Sequence, residues 1–144
     1  MSVYLFCTQL IVATLFTKST VLAIAHAVGQ TGEDIAARHL STQGFTVLER
    51  NWRCGKAEID IIAKDGDALV FVEVKTRSTS AFGAPESFLS PRQTQLIAAC
   101  AAAYMESIGH EWELRFDVIS IVLQPDDSYR LEHLRDAFFP GFDD

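Results

Sequence analysis

Apolar positions along this chain recur with two periods, and the switches between them predict its elements. After an opening stretch that is apolar almost throughout, Thr31 suits a helix N-cap, with Glu33 and Asp34 in the first turn. Ile35, Ala36, His39 and Leu40 then recur at helical spacing, and Gly44 suits the stop. Phe45 to Glu49 alternates as a strand, and Asn51-Trp52-Arg53-Cys54-Gly55 reads as a turn or bend. Ala57 to Ala63 is a second strand, with Ile59 and Ile61 on one face and Glu58, Asp60 and Ile62 on the other. Lys64-Asp65-Gly66-Asp67 is a hairpin turn leading into the β-branched strand Ala68 to Thr76. Arg77 to Ser90 is a loop rich in Ser, Gly, Pro and Ala. Pro91 to Ile108 reads as a helix whose AACAAAYM run suits close packing, and Arg115 to Leu123 is a further strand. Gln124 to Asp144 is turn-rich and acidic.

The order α-β-β-β-α-β permits a crossover and predicts a three-layer α/β/α domain with a central mixed β-sheet. The domain is expected over residues 29–124, with residues 125–144 as an acidic tail packing on or beside it. Residues 1–28 form an apolar extension whose single charge is Lys18. Three readings of it compete. A signal peptide would explain Ala25-His26-Ala27 as a cleavage site, yet no Lys or Arg precedes the apolar run. A membrane helix would be interrupted by Thr8, Gln9, Thr14, Thr17 and Lys18. The favoured expectation is a start codon set too early, or a dispensable extension, on a cytoplasmic protein with no other membrane association.

Composition narrows the class. With 144 residues, 49% of them hydrophobic and 22% charged, the chain suits one globular domain. Cys7, Cys54 and Cys100 are too few and too scattered for a disulfide framework or a zinc knuckle. The four histidines show no ligand spacing, and no phosphate-binding glycine loop or G-x-S-x-G elbow is present. A net charge of −7 argues against coating nucleic acid by bulk charge. The charge is uneven, however: Arg50 to Arg92 carries a net +1, whereas Glu106 onward carries −7.

One constellation carries chemistry. Asp60 lies in one strand of the predicted hairpin and Glu73-Val74-Lys75 in the next, so the two carboxylates can be neighbours. Both stand in the most apolar segments of the domain, Asp60 between Ile59 and Ile61 and Glu73 between Val72 and Val74. Charges there are costly to bury unless they serve each other or a metal. Asp60 and Glu73 are hard oxygen ligands suited to Mg²⁺ or Mn²⁺, one ion or two, and the Val74 carbonyl could add another. Lys75 would orient or deprotonate a water, or stabilise developing charge, and Glu33 is a plausible further carboxylate. Together these fit phosphodiester hydrolysis. Each residue alone also has a structural explanation: Glu-x-Lys as a solvated strand face, Asp60 as a surface group, Glu33 as a first-turn acid favourable to the helix dipole.

The segments GEDIAARHL, GFTVLERNWR, AEIDIIA, FVEVKTR and RFDVI, in this order, resemble the YraN-like family of uncharacterised bacterial proteins. That family is similar to Holliday-junction resolvases within the PD-(D/E)XK, restriction-endonuclease-like superfamily, and the resemblance covers about Gly29 to Leu123. It implies a restriction-endonuclease-like fold in which Glu33, Asp60, Glu73 and Lys75 match the helix carboxylate and the D…ExK core. It further implies a metal-dependent endonuclease acting on DNA, with branched or junction DNA as a candidate substrate. A homodimer is a candidate assembly, because resolvases of this fold cut symmetrically. A groove of Arg50, Arg53, Lys56, Arg77 and Arg92 would contact phosphates, and Gln93 would bond a phosphate or the attacking water. The chain departs from the family at Ala57, where glycine is usual, and at Gln93 and Leu96, where basic residues are common. The lost positive charge supports the rival expectation, a catalytically silent nucleic-acid-binding or protein-interaction module on the same fold. Asp117 is expected to form a local ion pair or loop anchor, Trp52 to pack on the core or stack on bases with Phe82, and Cys100 to be a small buried residue.

Overall fold

The computed structural model describes residues 31–78, 89–111 and 113–139. The expectations for residues 1–28, and for most of the loop between Arg77 and Ser90 including Phe82, lie outside the described residues. The sheet lies in the unit Gly32–Asp144. Residues 31–42 are helical (α1), with Thr31 already inside the helix. There follow β1 (Thr46–Cys54), β2 (Ala57–Asp65), β3 (Ala68–Ser78), α2 (Pro91–Ile108), β4 (Leu114–Leu123) and β5 (Tyr129–Leu134).

The five strands form one sheet in the order β1-β2-β3-β4-β5. Neighbours are antiparallel except β3 and β4, which run parallel because α2 carries the chain between them. Ile35, Ala36 and Leu40 of α1 cover one face, against Ile61, Ala63, Val70, Val72, Ile119 and Ile121. Ile97, Cys100, Ala101 and Tyr104 of α2 cover the other, against Ile59, Ile62, Leu69, Phe71 and Phe116. The expected three-layer α/β/α architecture with a mixed sheet is therefore what the chain adopts. Ala68 to Val72 are buried consecutively, as befits a central strand covered on both faces. Each large aliphatic side chain so covered contributes about 1.5–3 kcal/mol.

The ends of α2 follow its sequence closely. Ser90 is the N-cap, its side chain accepting from the Gln93 N–H while the Gln93 side chain accepts from the Ser90 N–H, and Pro91 opens the first turn. Gly109 closes the helix in the left-handed region at φ 65°.

Three expectations are corrected. Asn51 to Cys54 is not a turn but the second half of β1, paired through Trp52↔Ile59, Arg53↔Glu58 and Cys54↔Ala57. Asn51 enters the left-handed region (φ 52°) without ending the strand, a conformation Asn tolerates well. Ile59 and Ile61 do not share a face: Ile59 lies with Ile62 toward α2, whereas Ile61 faces α1. The alternation thus breaks at Asp60, opposite Asn51, between the pairs Arg50↔Ile61 and Trp52↔Ile59. The acidic C-terminal region also contributes a strand, β5, which completes one sheet edge through pairs from Val118↔Leu134 to Leu123↔Tyr129.

Candidate functional site

Asp60 sits where β2 and β3 part, just beyond the paired residues Ile61 and Val72. Its Oδ2 accepts a hydrogen bond from the Val74 backbone N–H at 2.7 Å. That bond aims the carboxylate at β3, where Glu73 and Lys75 project side by side, Lys75 Nζ lying 3.2 Å from Glu73 Oε1. Glu33 arrives from the first turn of α1. The helix can approach so closely because Gly32 packs on Thr76, where any Cβ would collide with the threonine side chain.

Burial pushes the Asp60 carboxyl up to about 7. The negative charge of Glu73 adds to this, the Val74 hydrogen bond opposes it, and Glu33 and Glu58 raise it further. Glu73 and Glu33 thus both act on Asp60, and Lys75 stands in an ion pair with Glu73. Asp60 and the Glu73–Lys75 pair lie on the adjacent strands β2 and β3, and Glu33 of α1 acts on Asp60 through its charge. Val74, nominated for its carbonyl, contributes its N–H to Asp60.

The donor chemistry fits a hard divalent cation: several carboxylates, one of them half-buried and pushed toward its protonated form first by burial and then by the charge of Glu73. The arrangement is not a closed metal cage. Among the described residues, no three His, Cys, Asp or Glu groups stand close enough to hold an ion together.

The predicted phosphate-binding residues are more dispersed. Arg50 pairs with Asp34 of α1 at 2.7 Å and Arg53 with Glu58 at 3.0 Å, so each is locally neutralised. Lys56 and Arg92 are exposed, and Arg77 is half-buried in β3. The Gln93 amide oxygen is held 2.9 Å from the Ser90 N–H, which ties it to the cap of α2. Trp52 makes an edge contact with Tyr104 at 5.3 Å on the α2 face.

A polar cluster at the far end of α1 was legible only in part. Asp117 is fully buried and receives a bidentate Arg115 guanidinium at 2.8 and 3.0 Å. It also receives the Asp136 N–H at 3.0 Å and meets His133 Nε2 at 2.8 Å. A carboxylate only accepts, so His133 donates from Nε2; in the neutral ring its Nδ1 then accepts from His39 Nε2 at 3.2 Å. The Arg115–Asp117 pair was expected from their proximity in sequence. The histidine contact, between residues 94 apart, left no local signal.

Among the described residues, no helix is long and apolar enough to cross a membrane. Residues 32–121 match the family model described as uncharacterised protein family UPF0102. A UPF0102 protein of Flavobacterium johnsoniae is 40% identical over 122 residues, 82% of this chain and 98% of that protein. One from Beutenbergia cavernae is 43% identical over 110 residues, covering 76% and 93% respectively. A solved structure, the Holliday junction resolvase Hjc of Archaeoglobus fulgidus, is similar with a TM-score of 0.40 and 16% identity, over 72% of this chain and 74% of that one. The match from α1 into β4, with relatives aligned over nearly their whole length, shows that the chain belongs to the uncharacterised protein family UPF0102.

Proposed function

We propose that this protein is a divalent-metal-dependent endonuclease that hydrolyses phosphodiester bonds in DNA, with branched DNA as the substrate to test first. One observation carries the reading. A half-buried Asp60, fixed by the Val74 N–H, lies within the charge field of Glu73 and Glu33, and Lys75 stands 3.2 Å from Glu73. Asp60 and Glu73 would hold Mg²⁺ or Mn²⁺, with Glu33 reaching it directly or through water. The bound ion would polarise the phosphate and acidify a water. Lys75 orients that water or steadies the charge that grows on the phosphate, and its bond to Glu73 sets its position. Exposed Lys56 and Arg92 are candidate phosphate contacts. A DNA substrate would suit a cytoplasmic protein.

A second reading, a binding module without turnover, is favoured by the absence among the described residues of three converged metal-ligating groups. One experiment separates the two. Purified protein is incubated with branched, single-stranded and duplex DNA in the presence of Mg²⁺ or Mn²⁺. The nuclease reading expects metal-dependent cuts that Glu73→Ala and Lys75→Ala abolish. Binding of branched DNA without any cleavage supports the second reading instead.

A further inference from the structure

Cys54 is the last residue of β1, and Cys100 lies mid-way along α2. They are 46 residues apart, yet the Cys100 thiol donates to the Cys54 carbonyl at 3.5 Å. The Cys54 side chain is also near enough to act on the Cys100 thiol. Both are free, Cys100 buried and Cys54 only half-buried. Around them β1 and α2 are already docked through Trp52 and Tyr104, so a bond between the sulfurs would join elements that are in place.

We propose that Cys54 and Cys100 are a two-thiol modification site that closes to an intramolecular disulfide when the protein meets an oxidant of the peroxide class. The two sulfurs have different roles. Burial, together with the neighbouring Cys54, pushes the Cys100 thiol up to about 12, which makes it a poor first nucleophile. Cys54, nearer solvent, reacts first. Its thiol gives up a proton, the thiolate attacks one peroxide oxygen as the O–O bond breaks, and the departing hydroxide takes up a proton, leaving a sulfenic acid on Cys54 and one water. The Cys100 sulfur then attacks the Cys54 sulfur. The S–S bond forms as the S–O bond breaks, and the Cys100 proton leaves with the departing hydroxide as a second water. Two thiols are oxidised and one hydrogen peroxide is reduced. The reaction is independent of the nuclease reading and needs none of the carboxylate site.

The test is peptide mapping of the full chain, without reductant, after treatment with hydrogen peroxide. The expected product is a monomer whose Cys54 and Cys100 peptides are cross-linked, are released by dithiothreitol, and are absent from Cys54→Ser. Its melting temperature should rise, because the bond closes a long loop in the unfolded chain. Oxidation of Cys54 to sulfinic acid with no cross-link would overturn the proposal. So would a disulfide formed through Cys7 or between chains. Because the mapping reads the unsubstituted protein, a poorly folding variant does not obscure it.

Discussion

The Asp60 side chain crosses from β2 to accept the Val74 N–H of β3 at 2.7 Å, at the point where the paired ladder of the two strands has ended. A side chain thus replaces the backbone partner that Val74 would otherwise meet there. The same bond fixes one carboxylate beside Glu73, within the charge field of Glu33. The cost is a half-buried acid among like charges, which is what raises its pKa.

That cost is measurable. Between its ordinary value of 3.8 and about 7, Asp60 is more protonated in the folded than in the unfolded chain. Its contribution to stability is therefore fully present below 3.8 and is lost as the pH rises through about 7. Asp60→Asn keeps an acceptor for Val74 and removes the charge. In metal-free urea denaturation at pH 8 the variant should be more stable than the parent by about 1–3 kcal/mol, with the gap narrowing toward acid pH. A less stable variant at pH 8 would mean that the Asp60 charge is well compensated in the fold.

The approach of α1 to β3 depends on Gly32. Gly32→Ala places a methyl group onto the Thr76 side chain and should destabilise the fold by about 1–3 kcal/mol. The shortest approach is to Oγ1, but the Thr76 Cβ is also too near, so adding Thr76→Ala should recover part of the loss. Chemical denaturation of the two single variants and the double variant measures the coupling. Additive losses would show that Gly32 is needed for another reason.

Asp117 has the opposite pH signature. Burial raises its pKa, but the hydrogen bonds from His133 and Arg115, with the Asp136 N–H, more than offset this and hold it below 3.8. Its stabilising contribution is present above 3.8 and is lost as the pH falls through its lower, folded-state value. Asp117→Ala leaves the Arg115 charge without its bidentate partner and should cost about 3–5 kcal/mol at neutral pH. The loss should shrink in strong acid, which thermal melts across that range would read.

Much of this was legible in local chemistry. Ser90-Pro91 and Gly109 bracket α2 because caps and breakers act within one turn. Asp65-Gly66 marks the β2–β3 hairpin, and the pairing Asp65↔Ala68 places the turn there. The failures have a shared cause, which is that tertiary pairing overrode local preference. Asn51 has a turn-forming composition around it, but pairing with β2 holds it in a strand with its backbone left-handed. The face reversal at Asp60 follows from that, and strict alternation could not anticipate it. β5 is polar and edge-placed, so Tyr129 to Leu134 carry little hydrophobic signal of their own. The convergence of Asp60, Glu73 and Lys75 was readable because a short hairpin brings its strands together whatever the rest of the chain does.

The left-handed backbone at Asn51 yields a further prediction. Asn51→Gly should be nearly neutral, whereas Asn51→Val, a β-branched residue forced to positive φ, should cost about 1–3 kcal/mol. Because Asn51 stands opposite Asp60, the valine variant should also weaken Mn²⁺ binding, while the glycine variant keeps it. Denaturation and isothermal titration on the same samples check both effects.

Whether Asp60 and Glu73 together bind one divalent cation can be read by anomalous diffraction from crystals soaked in Mn²⁺. The expected result is a manganese peak about 2.1–2.2 Å from a carboxylate oxygen of each residue, absent in Glu73→Gln. Manganese bound elsewhere, with no density between Asp60 and Glu73, would contradict it.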